Sequence, residues 1–433
     1  MERDLEQTIW RGIALEHPPD WELVSATAGQ QPARCVFADR RYERLKVQWR
    51  SMAFEPQLKK MLEEKALKQE RDFKTVSNLP PGWHGIEEKV SDGLVVHAGR
   101  FFQETSLFME AILLWPVLGK RDRRLENSVL SGMGPAPDQP DGRTLWRAMG
   151  LRVKTDPQRQ LLKTMLDGGH QAWAFGSRPD RPADLGVRRI ALPKYWLHAP
   201  LEDWLKLQLD DEWKIENLRR TTCNGHTAAR MTSSRQAGAR DRLGGRRRLR
   251  TDLAWQCSRE ERVYHVQYEE TRAGHDLRIP DDLEVACCAP SPPSLKTREP
   301  KRTIGKKSKS AANVTALDIL ESVPIKNTAI KLCPGNRGGA MAEVALRHPW
   351  FLRGPIRWLF PVPETRRVAL DAAGMAVLDL CDGKRTVERV IEDFARRHRL
   401  SFREAQTAAM DYLRQLSERG IVVIAGMTED RRG

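Results

Sequence analysis

The sequence predicts an α+β protein: two tandem, related antiparallel-sheet α+β domains over residues 1–135 and 140–289, a basic linker over 290–312, and a small mixed module over 335–427. Three observations predict it. Many short runs alternate apolar and polar residues, the mark of half-buried antiparallel strands. A run of such features occurs twice. The final stretch changes from alternation to helical spacing, with a capping residue at each helix start.

The repeated run opens with a Trp-Arg pair in both places, Trp10-Arg11 and Trp146-Arg147. Each copy then has a proline, a short apolar strand, a turn, and a second strand carrying an aromatic, Phe37 in one and Phe175 in the other. A polar turn leads to "LKVQWR" in the first copy and "LGVRRI" in the second. Helical segments follow, "EPQLKKMLEEKALKQE" and "PLEDWLKLQLDDEW". Further on, "DGLVVHAGRFFQETSLFMEAILLWP" is set against "NGHTAARMTSSRQAGARDRLGGRRRLRTDLAWQC". The unit this describes is strand-rich with one or two covering helices.

Between Arg219 and Arg250 the basic run reads as an exposed strand pair and loop, because Gly, Ser and Thr break it and no aromatics interleave for base stacking. Residues 290–312 are rich in Pro, Lys and Ser and nearly free of large apolar residues, which predicts a solvated linker.

Beyond the linker, strands are predicted near Ala342–Arg347, Ile356–Phe360 and Arg366–Leu370. Three helices follow. Asp371 caps the first, with Met375, Val377, Leu378 and Cys381 apolar, and Gly383 suits the left-handed position that ends it. Thr386 caps the second, with Val387, Val390, Ile391 and Phe394 on one face. Ser401 and Glu404 form a capping box opening the third, whose apolar face carries Ala405, Ala409, Tyr412, Leu413 and Leu416. Gly420 stops it, and "IVVIA" is a last strand. Three strands, three helices and a strand make a winged-helix-like order.

These residues carry a resemblance. Leu370-Asp371 leading to Gly374, then Asp382-Gly383, then Thr386-Val387 before an amphipathic helix, and a last helix running to Arg419-Gly420, resemble the PqqD family of pyrroloquinoline quinone (PQQ) synthesis proteins. The resemblance implies recognition: such modules bind the leader part of a ribosomally made precursor peptide and present it to a modifying enzyme, often a radical SAM protein. The peptide would add as a strand beside the third strand, near the third helix. It implies contacts at the edge backbone of Arg366, Arg367, Val368, Ala369 and Leu370 before any side chain, with the two arginines suited to an acidic leader. Tyr412 is a further candidate contact, although it sits on the apolar stripe and core packing accounts for it as well.

Composition bounds the alternatives. The 433 residues exceed one ordinary core. The net charge of +15 admits nucleic acid as a second partner. The outward positions expected on the third helix mix signs, however: Arg403, Gln406, Asp411, Arg414 and Glu418. Seven cysteines suggest no disulfide framework, Cys287-Cys288 has no metal-ligand spacing, and no zinc or other cofactor is expected. The opening "MERDLEQTIW" is charged, and "LFMEAILLWPVLG" is short and contains Glu110, so no signal peptide and no membrane span are expected and a cytoplasmic setting is simplest. "CPGNRGGAM" lacks the lysine of a phosphate loop and "SGMGPAPD" lacks a nucleophile elbow. A non-catalytic chain is expected, with residues 1–289 left open to an enzyme or docking role.

Overall fold

The computed structural model describes residues 5–29, 32–57, 60, 61, 64, 72–117, 121–167, 169–236, 247–272, 277–281, 283–288, 316–335, 339–345 and 365–425. These fall into two compact units. The first holds residues up to 166, 170–190 and 199–288; the second holds 167, 169, 191–198 and those from 316. The expected linker and the expected strand at Ile356–Phe360 lie outside the described residues, as does most of the first predicted helical segment.

In the first unit the chain runs through β1 (Glu6–Trp10), β2 (Ile13–His17), β3 (Glu22–Ala26), β4 (Ala33–Ala38), β5 (Glu43–Ser51), β6 (Phe73–Thr75), β7 (His84–Val90), β8 (Gly93–Phe102), β9 (Leu107–Pro116), helix α1 (Arg123–Ser131) and β10 (Met133–Pro135). It continues through β11 (Thr144–Ala148), β12 (Leu151–Thr155), β13 (Gln160–Asp167), β14 (His170–Gly176) and β15 (Leu185–Ala191), leaves for α2 (Pro193–Trp196), which belongs to the second unit, and returns through α3 (Leu201–Lys206), β16 (Lys214–Cys223), β17 (His226–Gln236), β18 (Arg247–Cys257), β19 (Arg262–Arg272) and β20 (Glu284–Ala286). The class is α+β, with antiparallel sheets and few helices.

Strand order is the informative feature. One seven-stranded sheet runs β3-β4-β5-β9-β8-β7-β6, and the other runs β13-β14-β15-β19-β18-β17-β16. Adding ten to each strand of the first sheet gives the second. A six-stranded sheet, β10-β2-β1-β11-β12-β20, obeys the same offset about its middle, where β1 pairs antiparallel with β11 at Ile9 and Arg147. Segments 1–135 and 140–289 therefore share a sheet, and buried residues from both lie in one core cluster.

The sequence echo coincides with this order at Trp10 (β1) and Trp146 (β11), at Phe37 (β4) and Phe175 (β14), and at "LKVQWR" (β5) and "LGVRRI" (β15). One later correspondence is displaced. By strand order, Gly93–Phe102 answers to Arg247–Cys257 (β18), whereas the sequence set it against the strand before, His226–Gln236. Both strands alternate, so period alone does not tell neighbours in a hairpin apart. The basic run after Arg219 enters a strand pair, but only β16 is largely exposed: in β17 Ala228, Ala229, Met231, Ser233 and Ser234 are buried, and the expected loop at 237–246 lies outside the described residues.

Aromatic rings fill the junction. Trp10, fully buried, meets Trp146 edge-on at 6.1 Å and Trp173 at 5.4 Å, and Trp146 meets Phe175 at 5.4 Å. Edge-to-face geometry is the favoured arrangement for such rings. Trp10 Nε1 donates to Thr27 O at 3.0 Å, which satisfies its polar end.

The second unit contains α4 (Ala316–Glu321), β21 (Val323–Lys326), β22 (Lys331–Pro334), β23 (Ala340–Ala345), β24 (Thr365–Leu370), α5 (Ala372–Leu378), α6 (Val387–Arg397), α7 (Phe402–Glu418) and β25 (Val422–Ala425). The sheets are β22-β23-β24 and β21-β25. Elements before the expected start at 335 belong to this unit: β21 pairs with the last strand from Val323–Ala425 to Lys326–Val422. The same segment ties down a turn, since Gly383 N donates to Pro324 O at 3.2 Å and Val387 N to Ser322 O at 2.8 Å.

His398, at the end of α6, is buried, and its Nε2 lies 3.1 Å from Tyr195 Oη. Burial first, then the charges of Lys194 and Arg397, lower its pKa from 6.5 to about 4. The unfolded chain thus takes up a proton here before the folded one does. The stability His398 contributes is complete above pH 6.5 and is lost as pH falls towards 4. Denaturant titrations of the second unit should show a decline over that window, and His398→Gln should flatten it. In the first unit, Trp10→Ala should cost about 3–5 kcal/mol. Tryptophan fluorescence should report one loss of structure for both sheets, because the core is shared.

Candidate functional site

The local chemistry of the second unit follows its sequence closely. Asp371 Oδ1 accepts from Gly374 N at 2.6 Å and caps α5. Thr386 Oγ1 accepts from Arg389 N at 3.3 Å and caps α6. Ser401 Oγ accepts from Glu404 N at 3.2 Å while Glu404 Oε2 accepts from Ser401 N at 3.0 Å, a complete capping box on α7. Helix α5 ends at Leu378, earlier than its predicted stop. Gly383, at φ +74°, sits in the following turn, where Asp382 Oδ1 accepts from Lys384 N and Arg385 N. Those bonds hold the Asp382 carboxyl below its ordinary range. Val387, Val390, Ile391 and Phe394 are fully buried, as are Ala405, Ala409 and Leu413.

The turn at Asp382-Gly383 and the closing Gly420 at φ +72° complete the frame that these caps begin. Residues 361–422 match the family model of coenzyme PQQ synthesis protein D (PqqD). No curated protein matches the chain. Among solved structures, the immunity protein TplEi of the Pseudomonas aeruginosa T6SS, complexed with "L" peptide, is 9% identical. That match covers 64% of this chain and 91% of that one with a TM-score of 0.27. The Tle4–Tli4 complex is 11% identical over 69% of this chain and 93% of that one, TM-score 0.26. The Saccharomyces cerevisiae Ran-binding protein Mog1p is 8% identical over 29% and 76%, TM-score 0.20. TM-scores this low assign neither fold nor function.

Within the PqqD region, β24 lies at the end of its sheet. It pairs with β23 from Ala340–Leu370 to Ala345–Thr365, and among the described residues no strand pairs with its other edge. Val368 and Leu370 turn inward to the core, whereas Arg366, Arg367 and Ala369 are exposed. Arg367 Nε is 2.9 Å from Glu343 Oε1 on the neighbouring strand. The five candidate edge residues thus form one strand with its apolar side anchored.

Tyr412 is placed differently. Its hydroxyl donates to Asp371 Oδ2 at 2.8 Å, so it joins α7 to the cap of α5 at the point where β24 ends. Burial, and then the adjoining Asp371 carboxylate, push its pKa up. Its ring also explains Gly374: a Cβ there would come within 3.3 Å of Tyr412 Cδ1. On α7, Arg414 is bridged to Asp411 at 3.0 Å and to Glu418 at 3.2 Å, and Arg403 donates to Gln406 at 2.8 Å.

The first unit holds buried titratable pairs that sequence patterns did not reveal. His97 lies 3.3 Å from Glu88 and 3.9 Å from Glu110, and His265 lies 2.8 Å from Asp252, which Arg250 also bridges at 2.8 Å. Burial alone would raise Asp252, but His265 and Arg250 outweigh it and hold the carboxyl below its ordinary range. A pocket of about 170 Å³ borders Glu110 and Gln48, small beside the several hundred Å³ usual for ligand sites. Cys287-Cys288 has no metal-ligand spacing along the chain, but the fold brings donor atoms of His226, Cys257, Cys287 and Cys288 within 4.8 Å of one another, a juxtaposition that chain spacing does not show.

Asp371→Ala should destabilise the second unit by about 0.5–2 kcal/mol through the lost cap, and Tyr412→Phe by about 0.5–1.5 kcal/mol. Because they share one carboxylate, the double variant should cost less than the sum. Denaturant titration monitored at the helix band measures all three.

Proposed function

We propose that the PqqD region binds the leader part of a ribosomally made precursor peptide by strand addition at the outer edge of β24. It would then present that peptide to a modifying enzyme, with a radical SAM protein as the favoured class. The observation that carries this reading is the one-sided pairing of β24, with Val368 and Leu370 anchored and the backbone from Arg366 to Leu370 at the sheet margin. An added strand gains main-chain hydrogen bonds from such an edge, and alternate side chains supply selectivity. Arg366 and Arg367 face outward and favour an acidic segment. The role is recognition, and the chemistry belongs to the partner enzyme.

Nucleic acid is the weaker reading. A recognition helix offers free cations or amides to phosphates and base edges, whereas Arg414 of α7 is already held between Asp411 and Glu418. Residues 5–288 would serve as a scaffold that arose by internal duplication, which the ten-strand offset in sheet order supports. From Lys331 onward, the described order of three strands (β22, β23, β24), three helices (α5, α6, α7) and a strand (β25) is read as winged-helix-like.

Calorimetric titration of the full chain with leader peptides encoded beside its gene tests the proposal. Saturable binding is expected. N-methylation of alternate peptide amides should abolish it in one register and spare it in the other. Reversing both charges, Arg366→Glu with Arg367→Glu, should weaken an acidic leader by roughly tenfold. Absence of binding by every such peptide, or indifference to N-methylation, would refute strand addition.

A further inference from the structure

Away from the PqqD region, one group of side chains converges on a point. His226 opens β17, Cys257 closes β18, and Cys287 and Cys288 follow β20. Cys288 Sγ lies 3.1 Å from His226 Nε2 and 3.3 Å from Cys257 Sγ, and the four donor atoms all lie within 4.8 Å of one another. A tetrahedral zinc ion with ordinary Zn–S and Zn–N bonds would hold its donors about 3.5–3.8 Å apart. Two of the separations here are a few tenths of an ångström shorter than that, and none exceeds 4.8 Å. We propose that His226, Cys257, Cys287 and Cys288 bind a structural zinc ion.

Three further observations support the assignment. Cys288 has φ +60°, a left-handed conformation that a non-glycine residue adopts at a cost. In an extended strand, adjacent side chains point to opposite faces. The reversal at Cys288 allows two neighbouring thiols to reach one centre. Next, Cys287 Sγ faces two N–H donors, Trp255 Nε1 at 3.4 Å and Asn224 Nδ2 at 3.7 Å. Such donors around sulfur are the outer partners a thiolate ligand needs. Asn224 also donates to Val285 O at 2.8 Å, which fixes the turn that presents His226.

The third observation is internal to the fold. By strand order, the position of Cys257 at the end of β18 answers to Phe102 at the end of β8. In that first copy the corner is packed: a Cβ on Gly134 would lie 3.3 Å from the Phe102 ring, and Arg100 sits 4.4 Å above it. An aromatic ring closes one corner and four metal-binding donors close the other, so packing alone does not account for them.

On binding, three thiol protons leave to solvent and neutral His226 contributes Nε2, which completes a closed Cys3His set. The ion would cross-link the β16–β17 hairpin, the end of β18 and the chain leaving β20, fastening one seven-stranded sheet to the six-stranded sheet. Soft sulfur with one imidazole favours zinc over calcium or magnesium.

The test uses the full chain purified under reducing conditions. Elemental analysis should find a single zinc ion per chain that survives dialysis. Cys257→Ser with Cys288→Ser should lose it, and Cys333→Ser, at an exposed cysteine of the other unit, should keep it. Should the double variant fail to fold, two wild-type measurements still decide. Cobalt(II) added to the metal-free chain should give thiolate-to-cobalt charge-transfer absorption, and alkylation should modify three fewer thiols in zinc-loaded than in zinc-stripped protein. A wild-type chain that takes up no zinc on titration, equal alkylation in both states, or a Cys257–Cys288 disulfide in the reduced preparation would overturn the proposal.

Discussion

The first unit depends on the contact of Trp10 with Trp146 and Trp173. The two seven-stranded sheets do not pair with each other; they are connected through the six-stranded sheet, and its middle is the β1–β11 ladder. A single residue pair of that ladder, Ile9 with Arg147, joins the halves by backbone register. Main-chain bonds so few cannot set the geometry of twenty strands, so buried rings from both halves must do it. Their edge-to-face contacts fix an orientation, whereas aliphatic packing would mainly fix a distance.

This arrangement explains what could be read in the sequence and what could not. Trp10 with Trp146, and Phe37 with Phe175, were legible as an echo because each sits in a strand whose immediate neighbours also repeat. The caps Asp371, Thr386 and Ser401 were legible because a cap is a bond across three residues. Pairing between distant strands left no such trace. The role of Val323–Lys326 depends on Val422–Ala425, about a hundred residues on. The convergence of Cys257 with Cys287 and Cys288 depends on sheet order, which no local spacing records.

Charge follows the same division. A net +15 suggests a polyanion partner at first sight. Some of the 73 basic residues sit in pairs: Arg121 bridges Glu87 and Glu126, Arg159 meets Asp184, and Arg220 meets Glu202. Such pairs cancel within the net sum, so the +15 is carried by cations beyond them. A net sum records no position, and the field at one surface depends on where that excess lies.

Several sheet ends could in principle accept a strand, and their burial separates them. The hairpin strand β16 is long and marginal, but its residues are exposed along nearly its whole length. Its ladder with β17 fixes its own register, but with neither face buried no apolar pattern would fix that of an added strand, which could slip along it. In β24 two alternate residues are locked into a core, and the strand runs directly into the cap of α5, which Tyr412 ties to α7. Its outward arginines also discourage pairing with a second copy of the same edge, since like charges would then meet. An edge that is short, charged towards its own kind and unpaired among the described residues would favour a foreign acidic strand over self-association, as the proposed recognition role requires.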